Sequence, residues 1–168
     1  YINKIRNFET TKKQSLIAGI IILVVYTTIT AHELEIDESI LRQLPENLKK
    51  KQDAFGITGG IHAAALFGVD GEIHNLFEDV GRHNALDKLI GYQINENALP
   101  LSSFGLMLSG RTSFELVHKS ALAGIPLIVA IGAPSSLAIE AAWEYEITLV
   151  GFLSSDRFNI YSYPKRIT

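Results

Sequence analysis

The sequence predicts an α/β fold in which helices cover a sheet that contains parallel strands. Three apolar runs with strand character, at residues 104–108, 127–131 and 148–152, support this prediction. The first two runs each end in a polar loop that contains glycine, and a helical pattern follows each loop. Strand, loop, helix and strand is the order of a βαβ unit, which brings strands side by side in parallel.

The composition is that of one globular domain. The chain has 168 residues, enough for a single core, and a net charge of -3 argues against a general nucleic-acid or anionic-membrane surface. It contains no cysteine, which excludes disulfides, thiolate metal sites and cysteine nucleophiles among these residues.

The first 31 residues are the hardest to interpret. Lys12 precedes an apolar run at residues 16–25, and this order resembles a signal peptide superficially. The run is about ten residues long, too short to span a bilayer, and we expect a buried strand or a core helix.

A helix is predicted at residues 37–52. Apolar residues between Ile40 and Leu48 recur at helical spacing, and lysines at residues 49–51 suit the negative end of the helix dipole. Pro45 lies inside this pattern, so we expect it to kink or divide the helix.

An antiparallel hairpin is predicted next. Strand-like segments at residues 61–67 and 72–77 flank a turn at residues 69–71. Just before the hairpin, residues 58–60 combine a threonine with two glycines, which permits either a tight turn or close backbone approach to a ligand.

The stretch from residue 78 to residue 88 is dense in charge. It reads as a strand end that passes into a helix, with Asp79 capping the free N–H groups and Gly91 ending the helix. An Arg, a His and an Asn at such a helix start favour an anionic ligand. Charges four residues apart more often form a solvated, salt-bridged helix turn, so this stretch alone does not distinguish such a turn from an anion-binding site.

Two more polar loops follow predicted strands, at residues 109–111 and 132–136. Thr112 and Glu115 have the spacing of a capping box for a helix that runs to Ala123, and a second helix is expected at residues 137–145. Loops at the carboxyl ends of parallel strands share one edge of the sheet, so we expect these two loops to converge with residues 78–84 in a ligand-binding crevice.

Long motifs in this order resemble the FdhD/NarQ family, the formate dehydrogenase accessory sulfurtransferases. The similarity covers roughly residues 55–167, whereas residues 1–51 match poorly; we therefore expect an N-terminal segment, 1–51, and a core domain, 52–168. The motifs that carry the resemblance are residues 58–67, 78–91 (EDVGRHNALDKLIG), 109–117, 123–126, 132–138 and 157–161.

The resemblance implies a cytoplasmic homodimer with a three-layer α/β/α, cytidine-deaminase-like fold, whose mixed sheet contains βαβ units. It also implies that the protein takes sulfur from a cysteine desulfurase and passes it to the molybdenum bis(molybdopterin guanine dinucleotide) cofactor, bound transiently, which formate dehydrogenase requires. The guanine-nucleotide part of the cofactor is then the ligand of the crevice, with no nucleic acid, membrane or zinc as partner.

On this basis the phosphates are expected near Arg82, Arg111 and Arg157, where a guanidinium can bind bidentately. His83, Asn84 and Asp79 are expected to orient guanine or ribose. The alternative role of Arg157 is a structural ion pair. The full set expected to bind the cofactor is Thr58, Gly59, Gly60, His62, Asp79, Arg82, His83, Asn84, Ser109, Gly110, Arg111, Gly132, Ser135, Ser136, Phe152, Arg157, Phe158 and Asn159.

Two departures from related patterns matter. Family members carry a Cys-x-x-Cys pair before the Thr-Gly-Gly motif, and this sequence has none, so no catalytic residue is assigned. Either a loop is missing before the helix around Leu41, which the abrupt change of composition there favours, or this member binds the cofactor without transferring sulfur. Zinc deaminases need a metal-binding His or Cys two residues before a Glu, whereas His83 precedes Asn84 and Ala85 here, so we expect no metal site.

Two alternatives to sulfur transfer stay open. One is a non-catalytic chaperone that carries the nucleotide cofactor to the dehydrogenase. The other is a nucleotide-modifying enzyme that uses His83 and Asp87 as acid and base.

Overall fold

The computed structural model describes residues 34–168, apart from the side chains of residues 53 and 54, and the prediction for residues 1–31 lies outside this range. In chain order the elements are α1 (Glu38–Lys51), α2 (Asp53–Thr58), β1 (His62–Phe67), β2 (Ile73–Asp79), α3 (Arg82–Asn95), β3 (Gly105–Leu108), α4 (Phe114–Leu122), β4 (Leu127–Ala130), α5 (Ser136–Glu144), β5 (Thr148–Gly151), β6 (Asn159–Ser162) and a 3-10 helix (Pro164–Arg166).

The described strands form one mixed sheet in the order β2-β1-β3-β4-β5-β6. Strands β3, β4 and β5 are parallel, β1 is antiparallel to both β2 and β3, and β6 is antiparallel to β5. These directions bring the carboxyl ends of β2 to β5 and the amino ends of β1 and β6 to one edge, so the predicted convergence of loops is confirmed. We call this edge the crest; it comprises residues 58–62, 79–84, 109–113, 131–136 and 151–159.

Alternation of side chains along the strands creates two cores, one on each face of the sheet. On one face, the buried leucines of α1 pack with Ala65, Met107 and Val129. On the other face, α3, α4 and α5 cover residues that include Leu106 and Ile128. The protein therefore has the expected three-layer α/β/α architecture, and its βαβ units run from β3 through α4 to β4 and from β4 through α5 to β5.

The predicted hairpin is confirmed. Strand β1 pairs with β2 in antiparallel register, with His62 opposite Asp79 at the crest. At the other end of the hairpin, Gly71 adopts a φ of 77° and donates its N–H to the Gly68 carbonyl at 3.0 Å. A left-handed residue in this turn explains the glycine.

The prediction that Gly91 ends its helix is wrong, because α3 continues to Asn95. The side chain of Gln93 is buried and donates from Nε2 to Asn75 Oδ1 at 2.8 Å, which holds the last turn of α3 against β2. Pro45 does not divide α1, which runs unbroken from Glu38 to Lys51 and keeps Leu41, Leu44 and Leu48 fully buried on both sides of the proline. A kink at Pro45 stays a prediction. Tertiary packing outweighs local propensity at both positions.

The predicted capping box at Thr112 and Glu115 is also wrong. Helix α4 begins at Phe114, and Thr112 instead forms a short parallel bridge to Pro134. The Thr112 N–H donates to the Ala133 carbonyl at 3.2 Å, and the Thr112 carbonyl accepts from the Ser135 N–H at 2.9 Å. The Thr112 N–H, which the Glu115 side chain would accept in a capping box, is therefore bonded to the loop after β4 instead.

No helix among residues 34–168 is both long enough and apolar enough to cross a membrane. Helix α1 packs on the same sheet that the core domain forms, and Ile36, just before α1, forms a parallel bridge with Ile167. The division between residues 51 and 52 stays a prediction.

Candidate functional site

Asp79 organises the loop that joins β2 to α3. Its carboxylate lies 2.5 Å from Lys88 Nζ and accepts hydrogen bonds from the Gly81 N–H at 2.9 Å and from Asn84 Nδ2 at 3.0 Å. The Lys88 ammonium above all, then the Gly81 and Asn84 donors, lower the pKa of Asp79 to about 2. Asp79 is therefore ionised at neutral pH and holds the start of α3 rigidly against the end of β2. The predicted role of Asp79 and Asn84 toward guanine or ribose stays a prediction.

Arg82, the first residue of α3, extends over the loop that follows β3. A Cβ built on Gly110 would lie 3.9 Å from Arg82 Cδ, so the side chain passes directly above that loop. The Nε atom of Arg82 is buried and has no hydrogen-bond partner within residues 34–168. A buried guanidinium donor without an acceptor is unusual in a folded protein, and it marks a place where a ligand can supply the acceptor.

Thr112 provides a second donor of this kind. The residue is 1% exposed, and its Oγ1 has no hydrogen-bond partner in the described part of the chain. Sequence reasoning assigned Thr112 to a helix cap and so omitted it from the candidate site. Its position directly after residues 109–111, a loop that was predicted to bind the ligand, is the sequence feature that could have identified Thr112.

Glu115 partly balances the positive charge at this place. The Ser113 hydroxyl, then the backbone N–H of Glu115 itself and, more weakly, the nearby charges of His83 and Arg82 lower the pKa of Glu115. His83 is half-buried and lies in the first turn of α3 beside Arg82. The crest thus brings His83 and Arg82 close to Glu115 in the first turn of α4.

Glycines let the loops after β3 and β4 touch through their backbones. A Cβ on Gly132 would lie 2.8 Å from the Arg111 nitrogen, and the Gly132 N–H donates to the Gly110 carbonyl at 3.2 Å. A Cβ on Gly110 would lie 2.9 Å from Nδ1 of His62. A larger residue at position 132 would push the two loops apart, and one at position 110 would displace the His62 ring, so both glycines contribute to the shape of the crest.

A cleft of about 510 Å³ lies on the α1 side of the crest. Gly59, Gly60 and His62 line it together with Ser109. The Ser109 hydroxyl oxygen accepts the Ala63 N–H at 2.7 Å, which fixes the side chain at the cleft wall. The other lining residues are Pro45, Lys49, Gln52, Phe55, Ile61 and Ile131.

The loop between β5 and β6 completes the crest. Phe152 has a φ of 54° and a side chain that is 47% exposed, and its N–H donates to the Gly132 carbonyl at 3.3 Å. A left-handed backbone at a phenylalanine is strained, and such strain concentrates at functional sites. Arg157 is exposed, whereas the Phe158 ring lies under the Arg42 guanidinium, 5.2 Å from the ring centroid, and packs on the α1-side core.

The remaining predicted residues have mixed roles. The Ser135 hydroxyl accepts the Ala138 N–H at 3.2 Å and caps α5, which Ser136 begins as an exposed residue. Asn159 donates to the Tyr161 hydroxyl at 3.4 Å, and Arg111 is exposed at the crest. Thr58 ends α2, and Gly59 follows with a φ of 63°. All the predicted site residues lie at the crest, and their roles toward a ligand stay predictions.

The geometry does not favour His83 and Asp87 as an acid and base pair. The Asp87 carboxylate is engaged by Lys119 of α4 at 2.6 Å, which places it in an interhelical ion pair. Among residues 34–168, no group of three or more His, Asp or Glu side chains is arranged to hold a metal ion.

Comparison with protein families matches residues 9–168 to the FdhD/NarQ family. The chain belongs to this family. It is 49% identical over 132 residues to the sulfur carrier protein FdhD of Sulfurisphaera tokodaii, an alignment that covers 79% of this chain and 52% of that protein. It is 50% identical over 128 residues to the sulfur carrier protein FdhD of Mycobacterium tuberculosis, covering 76% of this chain and 46% of that protein. The chain spans about half the length of the curated FdhD proteins that it matches.

Solved structures confirm the fold of this FdhD/NarQ member. A putative formate dehydrogenase accessory protein from Desulfotalea psychrophila superposes with a TM-score of 0.72 at 28% identity, covering 79% of this chain and 59% of that one. A structure of NE0047 in complex with 8-azaguanine superposes with a TM-score of 0.52 at 14% identity, covering 70% of this chain and 79% of that one, which shows a shared fold alone. The α/β fold with a mixed sheet that the resemblance implied is therefore confirmed.

Proposed function

We propose that the crest binds the guanine-nucleotide part of the molybdenum bis(molybdopterin guanine dinucleotide) cofactor, and that the protein serves formate dehydrogenase as an accessory protein. The observation that carries this proposal is that Arg82 Nε and Thr112 Oγ1, which follow β2 and β3 at the same edge of the sheet, are buried without hydrogen-bond partners among the described residues. A third such atom, Ser113 Oγ, lies next to Thr112. The cofactor is the cargo of the protein and not a resident group.

A diphosphate fits these donors chemically. Arg82 is the first residue of the 14-residue helix α3, so its guanidinium and the free backbone N–H groups of the first turn act on the same anion. Arg111 and Arg157 are exposed at the same edge and add positive charge. An arginine fork binds phosphate oxygens in pairs, which gives orientation as well as affinity.

A base fits the loop between β5 and β6, toward the other end of the crest from Arg82. The half-exposed ring of Phe152 offers a flat apolar face, and stacking on an aromatic ring contributes about 1–3 kcal/mol per base in single-stranded nucleic-acid complexes. The backbone strain at Phe152 is consistent with selection for that ring position.

Sulfur transfer needs a thiol that this sequence lacks. The relatives are named sulfur carrier proteins, and this chain spans about half of their length. We therefore place the sulfur-carrying cysteines in a segment outside this sequence, with a cysteine desulfurase as donor and a cytoplasmic homodimer as the working form. The second candidate, a non-catalytic cofactor chaperone, is favoured by the absence of cysteine from these 168 residues.

Calorimetric titration of the protein with GDP, as a probe of the guanine-nucleotide end, tests the binding proposal. GDP should bind, and the Arg82→Gln variant should bind at least tenfold more weakly, because a charged hydrogen bond is lost. Lys50→Gln is the control, since Lys50 pairs with Glu46 on α1 and lies outside the crest. Equal affinity of wild type and Arg82→Gln would contradict the proposal.

The mass of the protein expressed from its gene, before and after thiol alkylation, separates the two candidates. Alkylation of a Cys-x-x-Cys pair would support the sulfurtransferase. A gene product without any thiol would leave only the chaperone.

A further inference from the structure

Helix α2 delivers residues 58–60 to the crest, yet it has little packing of its own. Phe55 is 37% exposed, Ile57 is 86% exposed, and Thr58 is exposed as well. The side chains of residues 53 and 54 aside, α2 packs extensively against no other described helix or strand. Six residues are also too few for a helix that is stable by itself, so contacts at its ends decide where α2 lies.

The carboxylate of Glu78 supplies such a contact at the start of α2. Its Oε1 accepts the Phe55 N–H at 3.0 Å and lies 3.5 Å from Gln52 Nε2. Phe55 is the third residue of α2, and Gln52, the residue that precedes the helix, makes no side-chain cap. A side chain from a different element therefore caps α2, and its negative charge suits the positive end of the helix dipole.

Glu78 is itself firmly placed. It lies in β2, in register with Ala63 of β1, and its carbonyl accepts from Lys88 Nζ at 3.1 Å. Lys88 also pairs with the Asp79 carboxylate, so the same lysine ties the end of β2 to α3. The cap on α2 thus connects a weakly packed helix to the part of the crest that Lys88 ties together.

We propose that Glu78 is a positioning residue that latches α2 in place, so that Gly59 and Gly60 line the 510 Å³ cleft together with Ser109. Without this latch, α2 leaves the cleft wall and the donors at residues 58–60 lose their alignment with the crest. The consequence for ligand binding rests on the proposed function, whereas the capping of α2 does not.

Hydrogen exchange followed by mass spectrometry or NMR tests the latch in the protein without ligand. In Glu78→Ala, the amides of residues 55–60 should exchange about tenfold faster, in line with the loss of a helix cap, while the amides of β3 and β4 stay unchanged. Glu78→Gln should restore most of the protection, because its amide oxygen accepts the same hydrogen bond. Glu78→Asp keeps the charge but is one methylene shorter, so it should behave like Glu78→Ala.

Glu72→Gln is the matched control, since Glu72 is an exposed glutamate in the β1–β2 turn. If Glu78→Ala does not fold, the comparison of Glu78→Asp with Glu78→Gln decides. Unchanged exchange at residues 55–60 in Glu78→Asp would overturn the proposal. Titration with GDP separates the two proposals. If wild-type protein does not bind GDP, the proposed function is refuted and the exchange result remains valid. If the latch controls binding, Glu78→Asp should bind GDP more weakly and Glu78→Gln should recover the affinity.

Discussion

The Asp79 carboxylate lies 2.5 Å from the Lys88 ammonium and so joins the last residue of β2 to the second turn of α3. Hydrogen bonds from Gly81 and Asn84 to the same carboxylate fix the intervening turn. Arg82 follows directly, and its orientation over the neighbouring loop depends on this turn. The helix start that we propose to bind an anion is thereby held in place by contacts within the protein itself.

This arrangement predicts a specific acid dependence of stability. Because the pKa of folded Asp79 is about 2, below its ordinary value of 3.8, the stabilisation is present above pH 4 and disappears as pH falls from 4 to 2. We expect Asp79→Asn to lower the Tm at pH 7, and the difference from wild type to shrink steadily as the pH falls from about 4 to 2. Thermal melts of both proteins from pH 7 to pH 2 measure this. A Tm difference that is independent of pH would contradict the role of the charge.

Thr112→Val should weaken binding without lowering the stability of the free protein. The buried Thr112 hydroxyl has no partner among the described residues, so its removal should leave the free protein unchanged or stabilise it by about 1 kcal/mol. GDP affinity should fall about tenfold, since the proposed ligand loses a donor. Chemical unfolding and calorimetric titration provide the two measurements.

Thr148→Val is the matched control for that substitution. Thr148 is equally buried, but its Oγ1 donates to the Tyr163 carbonyl at 2.5 Å and lies 3.2 Å from Arg166 Nη1. Its loss should destabilise the protein by about 1–3 kcal/mol, because buried partners are left unpaired. If Thr112→Val were as destabilising as Thr148→Val, Thr112 would have a structural partner.

Gly132→Ala should disrupt the contact between the loops after β3 and β4. The added Cβ would lie 2.8 Å from backbone atoms that cannot move aside cheaply, so we expect a loss of about 1–3 kcal/mol in the free energy of unfolding and weaker GDP binding. Gly91→Ala is the control. A Cβ there meets open space inside α3, and the change should stabilise the protein by about 0.5–1 kcal/mol. Equal effects of the two substitutions would refute this account of the crest.

Phe152→Ala should separate recognition of the base from recognition of the phosphates. GDP affinity should fall at least fivefold through the loss of stacking, while inorganic pyrophosphate should bind as it does to wild type. Trp143→Ala is a suitable control, because Trp143 is a similarly exposed aromatic residue on α5 that packs on Tyr163. An equal loss for both ligands would instead show that Phe152 shapes the loop.

Local patterns were sufficient for strands β1 to β5, the hairpin and the loops of the crest, whereas β6 was not predicted. Short apolar runs that end in glycine-containing loops specify strands and turns through neighbouring residues alone, and the resemblance to the FdhD/NarQ family rests on such continuous motifs. The ends of helices were harder to predict from local patterns. Asn75 on another element extends α3 past Gly91, and Ala133 takes the backbone of Thr112 away from a cap.

The chemistry of the crest was decided by contacts between distant segments. An arginine and a threonine in a polar loop are ordinarily solvated, and only the packing of neighbouring loops buries Arg82 Nε and Thr112 Oγ1 without acceptors. The same holds for Glu78. In the sequence it is one of several charged residues in the motif, and only the folded structure shows that its carboxylate accepts the Phe55 N–H. Burial and pairing depend on residues far apart in the chain, whereas strand and loop patterns depend on residues close together.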